Sequence, residues 1–181
     1  LSWFKRVDYN SNPNGNIFDF DVSNIKINYK ATNTDFYFGK FNSHWGPGQA
    51  SLVLSNKSPS FSKFGFKAKI NSKLNFEYFH GSLKSLITDT SNTSYYQQDI
   101  IGGTRNPNLN RYIVAHRIDI KLLPYLNIGL NEMVIYGVRG IDLFYCIPFL
   151  PFWSLQHYLG DLDNIIMSVD FKLKINQKIN L

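Results

Sequence analysis

His116-Arg117 and Asn131-Glu132 put an imidazole, a guanidinium, an amide and a carboxylate into two neighbouring stretches of chain. A histidine with an acid and an amide can activate a hydroxyl nucleophile, for which Ser43 and Ser154 are candidates. No Gly-x-Ser-x-Gly elbow occurs, and nothing in the spacing fixes a nucleophile beside a base. The expectation is therefore a polar ladder or ligand contacts, and no enzymatic activity. A second constellation is His44-Trp45, followed at once by the turn signal Gly46-Pro47-Gly48. A Trp there can stack its face on a sugar ring while its neighbours bond the hydroxyls. It can equally pack under the turn or anchor at a membrane interface. The remaining histidines, 80 and 157, share no helix turn or strand pair with 44 or 116, and Cys146 is alone, so neither metal nor disulfide is expected. Gly102-Gly103 lacks the phosphate-cradling spacing, so no cofactor is expected either.

These residues need elements to hold them. The chain has 181 residues, enough for one domain with a core. Its composition, 44% hydrophobic and 16% aromatic with only 18% charged, is the reverse of a disordered chain. A formal charge of +6 favours an anionic partner. The basic residues are spread singly along the chain and not gathered into a patch with stacking aromatics, so nucleic acid is not expected. The longest apolar run, Leu143 to Trp153, is broken by Pro148 and Pro151 and is too short for a membrane-spanning helix. The opening at Leu1, without a charged-then-apolar leader, fits a processed protein or a piece of a longer one.

Period-2 alternation dominates. Ile25, Ile27 and Tyr29 alternate with Lys26, Asn28 and Lys30, and Asp35 to Phe41 reads as the next strand. Ser51 to Ser55 is strand-like. Phe64 to Ile70 and Leu74 to Tyr78 form a hairpin across Asn71-Ser72. Strands follow at Tyr112 to Ile120, Leu126 to Tyr136, Ile141 to Ile147 and Ile165 to Ile175, with Pro148 to Gly160 an irregular aromatic segment or short helix. Residues 1–15 and 88–110 read as loops. Several runs reach the roughly 9–11 residues of a tilted transmembrane strand, beyond the usual soluble length of about 5–6. Short turns also alternate with long loops, as in outer-membrane barrels. The expected fold is all-β, an antiparallel transmembrane β-barrel. Its inward face would carry Lys26, Lys30, Lys67, Lys69, Arg117, Lys121, Lys172 and Lys174, a lining that attracts acidic polymers.

One motif is more specific. The run Phe38-Gly39-Lys40, His44-Trp45-Gly46-Pro47-Gly48 and Ser51-Leu52-Val53-Leu54-Ser55-Asn56, with Pro59 beyond it, resembles the signature of the bacterial capsule-assembly (Wzi) family. Ala115 to Asp119, Leu126 to Glu132, Ile135-Tyr136-Gly137, Tyr145 and Pro148-Phe149 extend the likeness over roughly residues 34 to 166. The resemblance implies an outer-membrane β-barrel with a lectin-like, non-catalytic role in attaching or organising capsular polysaccharide at the bacterial surface. The runs here supply fewer strands than that family's barrels, so residues 1–181 are expected to be one barrel domain, incomplete at both ends.

The resulting expectation is an outer-membrane, lectin-like barrel in contact with lipid and with capsular or other acidic polysaccharide. Its candidate sugar contacts are Lys40, His44, Trp45, His116, Arg117, Asn131 and Glu132. The competing readings are a porin-like anion or solute channel, a soluble β-sandwich carbohydrate-binding module and a barrel hydrolase.

Overall fold

The computed structural model describes residues 23–48, 51, 53–85, 87–91, 107–176 and 179–180. Eight strands form one antiparallel sheet in sequence order. They are β1 (Ile25–Lys30), β2 (Thr34–Phe41), β3 (Phe61–Lys69), β4 (Leu74–Leu83), β5 (Arg111–Leu123), β6 (Leu126–Gly137), β7 (Asn164–Asn176) and the two-residue β8 (Ile179–Asn180). Among the described residues, pairing runs from β1 to β8 and does not return, so this sheet is open and not closed into a barrel. Within the connection after β6 lie a short 3-10 helix, Leu143–Cys146, and one α-helix, α1 (Phe152–Tyr158). No described helix is long and apolar enough to cross a membrane.

The hairpin across Asn71-Ser72 is present, with Lys69 opposite Asn75. Two other strand assignments are corrected. Residues 141–147 do not join the sheet, because the Asp142 carboxylate accepts the Phe144 N–H at 3.0 Å and starts the 3-10 helix. Ser51 to Ser55 contributes only the bridge between Leu54 and Trp45. There Ser51 Oγ accepts the N–H groups of Val53 and Leu54 at 3.3 and 3.4 Å, bending the backbone away from a ladder. Residues 1–15, and 92–106 of the long polar connection, lie outside the described residues.

Period-2 geometry sends successive side chains to opposite faces, so each strand's alternation sorts onto two sides of the sheet. One face is apolar. Over β4 to β6 it is covered by the 138–163 connection, whose Tyr145 and Phe152 are fully buried against Phe76, Tyr78, Val114, Val134 and Tyr136. On either flank the same face stays bare: Phe38 is 61% exposed on β2 and Phe171 59% on β7. The opposite face is polar in one half and apolar in the other. Its apolar half packs Tyr37, Phe61, Phe79, Ile113, Ala115 and Met133 under Trp45 and Leu54 from the 42–60 connection. That connection acts as a strap across the face.

The connections divide by end. Those following β2, β4 and β6, residues 42–60, 84–110 and 138–163, all leave one edge of the sheet. The turns at 31–33, 70–73 and 124–125 sit at the other.

Candidate functional site

Register assembles a cross-strand row on the polar face. Lys30, Asp35, Lys67, Glu77, Arg117, Asn131 and Ser168 stand opposite one another in succession from β1 to β7. Charge alternates over the first five, the arrangement that makes cross-strand neighbours attract. Lys67 Nζ meets Glu77 at 3.0 Å, and the Tyr37 hydroxyl donates to the same carboxylate at 3.1 Å.

Arg117 is the centre of this row. Its Nε donates to Asp119 Oδ1 at 2.8 Å, and Nη1 donates to Asn131 Oδ1 at 2.6 Å. Nη1 and Nη2 also reach the two oxygens of Asp170 at 2.6 and 3.0 Å. That is the bidentate fork that arginine, unlike lysine, can make. Asn131 Nδ2 in turn donates to Ser168 Oγ at 3.1 Å and to Asp170 Oδ2 at 2.9 Å. Gly129 leaves room for the guanidinium: a Cβ there would lie 2.6 Å from both Arg117 Cζ and Asp170 Oδ1.

The Gly46-Pro47 turn comes down beside this network. Between them lies a hollow of about 150 Å³, lined by both turn residues, Arg117, Asp119, Asn127, Gly129, Asp170 and Lys172. Gly46 sits at φ +105, a conformation that favours glycine. Donors and acceptors therefore converge on a small open hollow, which suits a ligand rich in hydroxyls more than an apolar one.

The sequence candidates do not form one cluster. Arg117 and Asn131 join the network. Their chain neighbours His116 and Glu132 project from the opposite, apolar face, as period 2 requires. There His116 Nε2 meets Glu132 Oε2 at 2.8 Å, and its Nδ1 lies 3.1 Å from the Pro148 carbonyl. The Glu132 oxygens accept the Phe152 N–H at 2.9 Å and the Trp153 N–H at 2.7 Å. Pro151 gives α1 no side-chain cap, so Glu132 satisfies two N–H groups that the helix start leaves open. The Phe152 ring stacks on His116 at 4.3 Å. These two residues hold the cover on the sheet.

Lys40 is half-buried on the apolar face opposite Ile25 and Ser62, and His44 is exposed in the strap. Trp45 is only 3% exposed, its ring 5.2 Å from Phe79 and its backbone N–H donating to Leu54 O at 2.9 Å. It packs under the turn, where no sugar face can reach it. Trp45→Ala is accordingly expected to cost about 3–5 kcal/mol in chemical unfolding and to open residues 42–60 to protease, with Trp45→Phe far milder.

Sequence reasoning missed Asp119, Gly129, Ser168 and Asp170 as partners of Arg117. The available signal was three strands each carrying small or polar residues two apart: Arg117-x-Asp119, Gly129-x-Asn131 and Ser168-x-Asp170. The cover carries its own network. Arg139 forks onto Asp163 at 2.9 and 2.6 Å, and the Tyr145 hydroxyl donates to Asp163 at 2.8 Å. Burial, reinforced by that carboxylate, pushes the Tyr145 pKa up, so its hydroxyl stays a donor. Among the described residues no group of His, Cys, Asp and Glu is arranged to hold a metal ion. Comparison with protein-family models, curated proteins and solved structures finds no match for this chain.

Proposed function

We propose that this sheet is part of the wall of an outer-membrane β-barrel of the capsule-assembly (Wzi) kind. Its apolar face meets lipid, and its polar face lines a lumen that holds acidic surface polysaccharide without catalysis. The observation that carries this reading is the joint segregation of faces and ends. Ile, Phe, Met and Val side chains stand bare on one face while the ionic row occupies the other. All three long connections leave the same edge, as the longer surface loops of outer-membrane barrels do. Strands of 13, 12 and 13 residues for β5, β6 and β7 exceed the roughly 9–11 needed to cross the bilayer at a tilt.

The Arg117, Asn131 and Asp170 network spends its donors internally and fixes the floor of the hollow, and beside it Asp119 and Lys172 supply an acceptor and a donor for sugar hydroxyls. The strap packs over the apolar half of this face and narrows the space in front of it, which favours retention of a polymer over free conductance. A soluble sandwich needs a second sheet against the bare apolar face, and the described residues form one sheet.

The test takes the intact protein from the cell envelope. It is expected to fractionate with outer membrane, to migrate differently on gels before and after boiling, and to sediment with purified acidic capsule. An unchanged band after boiling, or loss of the polymer to the supernatant, overturns the corresponding half of the reading.

A further inference from the structure

The polar face is divided along the strand direction as well as across it. Toward the strap side lies the apolar cluster of Trp45, Leu54, Phe61 and Phe79. Toward the short turns lie lysines. Lys30 ends β1, Lys67 and Lys69 end β3, Lys121 stands near the end of β5, and Lys172 and Lys174 stand near that of β7. In register, Lys121 opposes Asn127 and Asn127 opposes Lys172, so an amide and not a carboxylate separates these two cations, while Lys69 opposes Asn75 and, beyond it, Asp119.

The acids of this half are mostly satisfied. Glu77 pairs with Lys67, while Asp119 and Asp170 pair with Arg117. Lys30, Lys69, Lys121, Lys172 and Lys174 have no ion-pair partner among the described residues. Among the described residues, Asp35 and the one negative charge left where Asp119 and Asp170 share a single guanidinium offset two of these five cations. A hollow of about 390 Å³ opens at this edge, where Lys30, Lys67 and Lys69 face the carboxylates of Asp35, Glu77 and Asp119, so the excess of positive charge lies beyond it, at Lys121, Lys172 and Lys174.

We propose that this lysine band is a docking site for a linear polyanion bearing carboxylate or phosphate groups, placed at the short-turn mouth of the lumen. The inference rests on the barrel reading for its sidedness. In such barrels short turns face the periplasm, so the polymer is met on its way out, before it reaches the strap and the outer surface. Like-charged ammonium groups spaced along one protein wall raise the local concentration of an opposite charge. A flexible chain of repeated anions satisfies several lysines at once, which a single small anion cannot do.

The experiment uses intact protein reconstituted in phosphatidylcholine vesicles, with polygalacturonate, polyphosphate and neutral dextran as probes. The variant carries Lys30→Gln, Lys69→Gln, Lys121→Gln, Lys172→Gln and Lys174→Gln, and a second carries Arg at the same positions. Polygalacturonate and polyphosphate are expected to be held by the wild type and by the Arg variant, and roughly tenfold less by the Gln variant. Raised salt narrows that gap, and dextran does not discriminate. If only one polyanion responds, it identifies the anionic group and the site stands. Equal polyanion retention by the Gln variant and the wild type overturns the band while leaving the barrel reading intact. Failure of the wild type to hold either polyanion overturns the band, and failure to hold purified capsule as well overturns the reading beneath it. Gln variants that keep the wild-type heat-shifted migration are folded, so a lost affinity is then an effect of charge.

Discussion

Arg117→Met is expected to lower stability by about 3–5 kcal/mol, the range for removing one partner from a buried ionic network. The side chain fills similar space, so the loss is electrostatic and not a cavity. Without the guanidinium, Asp170 loses its fork and Asn131 Oδ1 loses its donor, while Asp119 keeps only solvent. Arg117→Lys is expected to recover little, because a single ammonium cannot span both Asp170 oxygens. Gly129→Ala should act on the same network from the neighbouring strand, since its methyl would occupy the guanidinium's place. Chemical unfolding in detergent measures all three. A double-mutant cycle of Arg117→Met with Asp170→Asn should show strong coupling. Additive losses would mean that the contact between the two side chains contributes nothing to stability, and that Arg117 does not organise the hollow through Asp170.

Glu132→Ala should detach the cover on the apolar face. The substitution strands the N–H groups of Phe152 and Trp153 and leaves His116 facing only the Pro148 carbonyl. A loss of about 3–5 kcal/mol is expected for a buried pair broken on one side, and about 1–3 for Glu132→Gln, which keeps one acceptor. Hydrogen exchange of the Phe152–Tyr158 amides reads the effect locally. They should lose protection in Glu132→Ala while the β2–β3 amides keep theirs. Equal loss at both places would make Glu132 a general stabiliser of the fold. The pair also gives the cover a reason to exist. On the proposed barrel reading, an imidazole and a carboxylate on this mainly apolar face would be costly against lipid, and the 138–163 connection would shield them.

The strands were readable because their alternation is uninterrupted. Ile25, Ile27 and Tyr29 against Lys26, Asn28 and Lys30 can be placed on two faces without coordinates, and the lysines expected to share a face stand together in the register. Residues 141–147 misled because an apolar run with an Asp two places before Phe144 satisfies a strand pattern and a helix start equally. The site was less legible than the sheet for a geometric reason. His116 and Arg117 are adjacent in sequence yet face opposite sides, whereas Arg117 and Asp170 lie two strands apart and share one fork. Only register brings such residues together. Trp45 was conspicuous by its Gly-Pro-Gly turn, but nothing local announced that Phe79 would bury its ring. The division of the polar face into an apolar half under the strap and a lysine half at the turns likewise depends on where each strand begins.

The central claim is that the two faces of this sheet meet different solvents, lipid on one side and a hydrated lumen on the other. Strand β7 tests it most directly, because Ser168, Val169, Phe171 and Lys172 alternate between the faces with no helix over them. In a Cys146→Ser background of the intact protein in bilayers, single cysteines at those positions would carry a fluorescent label. Labels at Val169 and Phe171 should be quenched by brominated acyl chains and resist aqueous thiol reagents during attachment, while Ser168 and Lys172 should behave in the opposite way. Aqueous reagents reaching Val169 and Phe171 as readily as Lys172, with no quenching from the lipid, would contradict the account.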